Sequence, residues 1–188
     1  MNRKIVVLNC PPQSGKDTIA EEFINRNGYT MMSFKFTLIN IALVISKIPK
    51  EEWDERYAVD KNLPWDKLGG LSQRNYLIKI GEEWVKPVHG KTYFGECVRT
   101  DITRLSNHDK FILPDGGFIE EIKPLYEAFG PTSLLILQWG RKNCSFDNDS
   151  RDWITAFPEI TRRVDRDNDT TIEDHYIAVK GVIDEYFK

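Results

Sequence analysis

The sequence predicts an α/β fold, a parallel sheet held between two layers of helices. Three observations predict it. The first apolar run, Ile5 to Asn9, is short and nearly continuous, the pattern of a strand buried on both faces. Comparable runs recur at Lys110 to Leu113 and at Ser133 to Gln138. Between them lie stretches whose apolar residues step by three and four, so that strands alternate with helices, as βαβ units require.

Each element has its own signal. Ile19, Ala20, Phe23 and Ile24 recur at helical spacing, and Asn27-Gly28 supplies a stop. Tyr29 to Phe34 reads as a second short strand. Leu38, Ile41, Ala42 and Ile45 mark a helix that halts near Pro49. Residues 51–70 are charged, carry two tryptophans and show little periodicity, so they are expected to be an insertion lying over another part of the chain. A helix is expected from Ser72 to just before Pro87, and another through Phe94, Cys97, Val98, Ile102 and Leu105. Pro114 ends the third strand; Ile122, Leu125, Tyr126 and Phe129 form the helix after it. Following the fourth strand, residues 140–158 are mostly polar, residues 160–166 suggest a fifth strand, and Ile172, Tyr176, Val179, Ile183 and Tyr186 predict a closing helix.

The chain of 188 residues suits one domain, 1–188. Hydrophobic residues make up 40% and charged residues 29%, with a formal net charge of -3. That composition is ordinary for a globular protein and lacks the global basic excess of a dedicated nucleic-acid binder. No apolar run approaches the roughly 18 residues a membrane helix needs, and the N-terminus does not read as a signal peptide. Cys10, Cys97 and Cys144 match no metal-site spacing, nor do His89, His108 and His175, to which no role is assigned. The expected compartment is the cytoplasm; the oligomeric state stays open.

The chemistry begins at CPPQSGKDT, residues 10–18, directly behind the first strand and ahead of the first helix. A helix N-terminus offers unpaired N–H groups and a partial positive charge to an anion. Gly15 lets the backbone approach a phosphate, Lys16 can reach the outer phosphates, and a neighbouring hydroxyl can ligate magnesium. The pattern G-x-x-x-x-G-K-[ST] is met with two departures: Cys10 stands at the first glycine, and Asp17 precedes Thr18. Cys10 is small, so it is compatible with the loop provided that its backbone does not need a positive φ. The architecture this implies is a three-layer P-loop NTPase-type sheet flanked by helices.

At SGKDT the chain resembles the P-loop nucleoside and deoxynucleoside monophosphate kinases, especially the thymidylate-kinase-like enzymes of phages. The resemblance places Ser14, Gly15, Lys16 and Thr18 at ATP and magnesium positions, with Gln13 and Asp17 as further nucleotide contacts. LSQRNYLIKIGEEW resembles the helix of those kinases that carries an acceptor-binding arginine, here Arg74; the resemblance implies an acceptor-side insertion at about 50–95 and a lid at about 140–158. FILPDGGF resembles their third strand, whose terminal aspartate is Asp115. The arginine two residues later in those kinases, which helps hold the acceptor phosphate, is Gly117 here. Its absence puts a small monophosphate acceptor in question and is expected to open space beside the site. A second group of phage kinases on a similar scaffold phosphorylates 5-hydroxymethyluracil within DNA, where the acceptor is a base hydroxyl. Both acceptors stay open on sequence grounds.

The resemblance implies Mg2+ and ATP as cofactors, with Thr18 and Asp115 as candidate metal ligands. Phosphoryl transfer asks mainly for positioning and charge neutralisation. Lys16 would hold the ATP phosphates, and Arg141 or Arg151 would approach the transferred group from the lid. Asp115, with Asp17 as its rival, would serve as a general base if the acceptor is a hydroxyl. Phe34, Arg74, Arg99 and Gly117 are the candidate acceptor-side residues, and the segment from Trp53 to Trp65 is a candidate grip for a flipped base. A non-kinase P-loop NTPase is the remaining alternative. It is disfavoured because Pro114-Asp115-Gly116-Gly117 lacks a second acid at the end of the third strand.

Overall fold

The computed structural model describes residues 3–147, 149–167 and 169–188. It divides into two compact units, one made of Met1–Phe34 and Gly95–Lys188, the other of Lys35–Phe94.

The first unit holds a five-stranded, all-parallel sheet in the order β2-β3-β1-β4-β5. The strands are β1 (Lys4–Leu8), β2 (Thr30–Met31), β3 (Lys110–Leu113), β4 (Leu134–Gln138) and β5 (Thr161–Arg163). β1 is central, its residues Ile5 to Val7 pairing with Phe111 to Leu113 on one side and Leu134 to Ile136 on the other. The period of two along each strand divides the core. Val6, Leu8, Ile112, Leu135 and Leu137 face one layer, built from α1 (Lys16–Asn27) and α8 (Ile172–Tyr186). Ile5, Val7, Phe111, Leu113, Leu134 and Ile136 face the other, built from α6 (Tyr93–Arg104) and α7 (Ile119–Phe129). β1, β3 and β4 are buried on both faces, which is why they read as continuous apolar runs rather than alternating ones.

The expected strands at 110–113 and 133–138 and the last helix agree with the structure, while two strands are shorter than expected. β2 spans Thr30–Met31 and β5 spans Thr161–Arg163. Both lie at sheet edges and have one neighbour, so their apolar flanks serve packing rather than pairing.

The second unit is helical: α2 (Lys35–Ser46), α3 (Lys50–Asp60), α4 (Gln73–Lys79), a π-helical stretch at Ile80–Val85 and α5 (Lys86–His89). Residues 51–70 are therefore not irregular. α3 spans most of the first half, and a 3-10 turn occupies Asp66–Leu68. Charge hides the helical period there because Trp53 alone is the buried side chain of α3. Trp53 packs among Ala42, Ile48, Leu77 and Ile80, so it is core, and the expected base grip does not extend to it. The helical path also continues through Pro87. Proline is tolerated in the first turn of a new helix, whose N–H groups need no intrahelical partner.

Candidate active site

The loop of residues 10–18 crosses the carboxyl end of the central strand, where ligands bind in open parallel sheets. Gln13 and Gly15 adopt positive φ, 63° and 81°. Cys10 does not, so the cysteine replaces the usual glycine without backbone strain. Its side chain is fully buried in the core beneath the loop, and burial pushes its thiol well above the ordinary range, leaving it protonated.

α1 starts at Lys16 with no side-chain cap, so part of its first turn is left for an anion. The Lys16 side chain is turned in rather than out. It is 9% exposed, with Nζ 3.7 Å from the Asp17 carboxylate and 3.5 Å from the carbonyl oxygen of Pro11. The ammonium folds back across the loop that it closes. Asp17 and Thr18 are exposed, and the Ser14 hydroxyl is buried with no hydrogen-bond partner among the described residues. An orphaned hydroxyl, a glycine-lined backbone and an ammonium fit a polyphosphate, since each can be satisfied by phosphate oxygen.

Two residues outside the loop motif, Trp139 and Arg166, fix this loop from behind. The indole Nε1 of Trp139 donates to the carbonyl oxygen of Ser14 at 3.1 Å, and Nη1 of Arg166 donates to the same oxygen at 2.7 Å. No local pattern marks either one, because both arrive from loops distant in sequence.

Asn9 is the third. Fully buried just after β1, it donates from Nδ2 to the carbonyl oxygens of Gly116 (3.2 Å) and Asp152 (2.9 Å). Its Oδ1 accepts from Gln138 Nε2 (2.7 Å) and from the Ile154 N–H (2.8 Å). One amide therefore ties the end of β3, the end of β4 and residues 152–154 together, using its full donor and acceptor capacity. The sequence signal was available: a polar amide ending an apolar strand.

Asp115 is buried at the end of β3. It accepts the Ser33 hydroxyl at 2.6 Å and the Phe34 backbone N–H at 3.4 Å, each on a different carboxylate oxygen. Phe34 contributes that N–H; its ring is buried in the sheet core with Met32 and Val98.

Gly117 does not open space. A Cβ built there would lie 2.4, 2.5 and 2.6 Å from Cβ, Cγ and Cδ of Arg151. The arginine stem occupies the volume that the missing side chain vacates. Arg151 is forked onto Asp149, Nε to Oδ1 and Nη2 to Oδ2 at 2.9 Å each, and the side chains are 12% and 5% exposed. Burial works against its charge, but the Asp149 pair, then Asp115 and Asp17, outweigh burial and raise its pKa. Those last two contributions bring Asp17, Asp115 and Arg151 into one electrostatic neighbourhood.

Burial first, and then the charge of nearby Arg141 among others, lowers the pKa of Arg166 and of His175. Arg99 pairs with Glu96 at 2.6 Å one turn away on α6. Arg74 belongs to the second unit, half-buried on α4, its backbone N–H donating to the Lys61 carbonyl oxygen at 3.0 Å. Among the described residues no group of three or more His, Cys, Asp or Glu side chains is arranged to hold a metal, and no helix is long and apolar enough to cross a membrane.

No family model matches the chain, and no curated protein matches it either. Among solved structures it is similar to a gluconokinase from Sinorhizobium meliloti 1021, at 14% identity and a TM-score of 0.41, over 99% of this chain and 96% of that one.

Proposed function

We propose that the chain is an ATP-dependent phosphotransferase that passes a phosphoryl group to a deoxynucleotide-type acceptor. The observation that carries this reading is the loop of residues 10–18. Left-handed Gly15, the inward Lys16 and the orphaned Ser14 hydroxyl converge at the carboxyl end of the central strand. Gln13, Ser14, Gly15, Lys16, Asp17 and Thr18 would hold the triphosphate. Thr18 and Asp115 would hold magnesium, the latter through water. Mg-ATP supplies the phosphoryl group and charge neutralisation at its oxygens.

The residues of the chain then divide the work. Lys16 neutralises phosphate charge next to an exposed carboxylate that keeps it oriented. Arg151, buried and locked by Asp149, presents a fixed positive charge close to Asp115. Preorganised charge of this kind needs no rearrangement as charge shifts during transfer. The buried Arg151 over Gly117 supports a phosphate-bearing acceptor, because it supplies from residue 151 the cation that residue 117 lacks.

The experiment offers ATP labelled at the γ-phosphate, in parallel, to free deoxynucleoside monophosphates and to a duplex containing 5-hydroxymethyluracil. Label on a monophosphate is the expected result. Label only in DNA would instead assign a base hydroxyl as acceptor and make Asp115 the leading base. Label released as phosphate regardless of acceptor would assign a non-kinase NTPase.

A further inference from the structure

Arg166 holds a position that neither its sequence context nor the loop motif explains. It follows β5, yet its Nη1 donates to the carbonyl oxygen of Ser14 at 2.7 Å, and a Cβ on Gly15 would come within 2.8 Å of the same nitrogen. Trp139 donates to that carbonyl as well, so both lone pairs of the Ser14 oxygen are engaged and its peptide is fixed in direction. Gly15 is thereby required twice, for its φ of 81° and for the guanidinium lying on it.

The Nε edge of the guanidinium is unsatisfied. Arg166 Nε is buried with no hydrogen-bond partner, and the neighbouring Ser14 hydroxyl is in the same condition. Among the described residues no carboxylate forms an ion pair with Arg166, although Asp165, Asp167 and Asp169 flank it in sequence. The charge beside it is instead another arginine, Arg141; burial and that like charge both weaken its hold on the proton. Arg166 also lines, with Lys142, Asp167, Asp169 and Thr170, an open cavity of about 650 Å³. A half-buried arginine with an unused donor, next to a like charge and against an anion-binding loop, is a site short of an anion.

We propose that Arg166 holds the loop of residues 10–18 with one arm and binds an oxygen of the donor's phosphate chain with the remainder, so that loop shape and donor affinity depend on one guanidinium. The inference rests on the phosphate-donor reading above. It adds a second loop-facing cation, contributed from beyond β5, to Lys16.

The test is calorimetric titration of inorganic triphosphate and of ATP, each with magnesium, into the full chain, its Arg166→Met variant and its Arg166→Lys variant. Thermal melting is recorded with and without ligand. Arg166→Met should weaken triphosphate binding about tenfold to a hundredfold, the scale of a lost charge-assisted hydrogen bond, and should shrink the ligand-induced rise in Tm. Arg166→Lys should also bind more weakly, by about fivefold or more, because a point charge cannot hold the Ser14 carbonyl and a phosphate at once. A purely structural arginine would lower the Tm of the free protein and leave both ligand readouts unchanged. Folded Arg166→Met that binds triphosphate within about twofold of the parent would overturn the proposal; if that variant does not fold, the same result for Arg166→Lys would overturn it. Failure of the parent chain to bind either ligand would overturn the phosphate-donor reading and this inference with it. Equal binding by parent and variants would overturn this inference alone.

Discussion

Gly117 and Arg151 share one volume: the arginine stem lies where a side chain at 117 would be, with its Cβ 2.4 Å from the ideal Cβ position. The atoms in conflict are the near end of Arg151, so rotating the side chain does not relieve it. Gly117→Ala should displace Arg151 and lower phosphoryl transfer about tenfold to a hundredfold, close to the loss in Arg151→Ala. Because both act through the same guanidinium, the double variant should be little worse than either single one, which a double-mutant cycle on transfer rates would reveal. Additive losses would separate the two residues.

Lys16→Ala tests the loop itself. Transfer should fall by at least about a hundredfold, a typical scale for one preorganised charge contact. The side chain is buried, and its partners include the Pro11 carbonyl and an exposed carboxylate; circular dichroism should show an intact fold. Near-normal turnover would remove the phosphate-loop argument.

Cys10→Gly restores the commoner residue at the head of the loop. Transfer should be retained, because Cys10 has no positive φ to relieve and its protonated thiol is buried under the loop. Stability should fall by about 1–2 kcal/mol from the lost packing and the freer backbone, measured by denaturant titration. A loss of most activity would give the cysteine a chemical role.

Asn9→Leu removes all four side-chain hydrogen bonds of a fully buried amide. Carbonyls of Gly116 and Asp152, the Gln138 amide and the Ile154 N–H would lose their partner. A loss of about 2–4 kcal/mol is expected in urea, along with faster hydrogen exchange at Ile154. Unchanged exchange at that N–H would mean that Asn9 does not hold this segment.

His175 gives the stability a pH dependence. Its imidazole is fully buried, stacked edge-on against Trp139, with neither nitrogen hydrogen-bonded among the described residues. Burial first, then the charges of Arg166 and Arg141, lower its pKa from 6.5 to about 4. The unfolded chain therefore binds a proton between those values that the folded chain refuses. Stability is full above pH 6.5 and declines as pH falls toward 4, by about 2–3 kcal/mol. His175→Phe should flatten the decline when denaturation midpoints are compared across that window. An equally steep decline in the variant would assign it to other groups.

Periodicity alone located the buried strands and the long helices, because burial on both faces writes an uninterrupted apolar run and one-sided burial writes a step of three or four. β1, β3, β4 and α8 were legible for that reason. The loop motif was legible because Gly15, Lys16 and Thr18 are adjacent in the chain. α3 was obscured because only Trp53 on it is buried. The edge strands were overestimated because pairing leaves no local mark.

By itself, then, the sequence determined a parallel sheet flanked by helices and a phosphate-type loop at the end of its central strand. Only the tertiary structure decided what surrounds that loop: Asn9 tying β3 and β4 to residues 152–154, Arg151 filling the space at Gly117, and Arg166 with Trp139 holding the Ser14 carbonyl. These partners are brought together from separations of more than thirty to about 150 positions. Local spacing encodes which face of a helix or strand is apolar, but which loops meet at a sheet edge follows from how the layers pack.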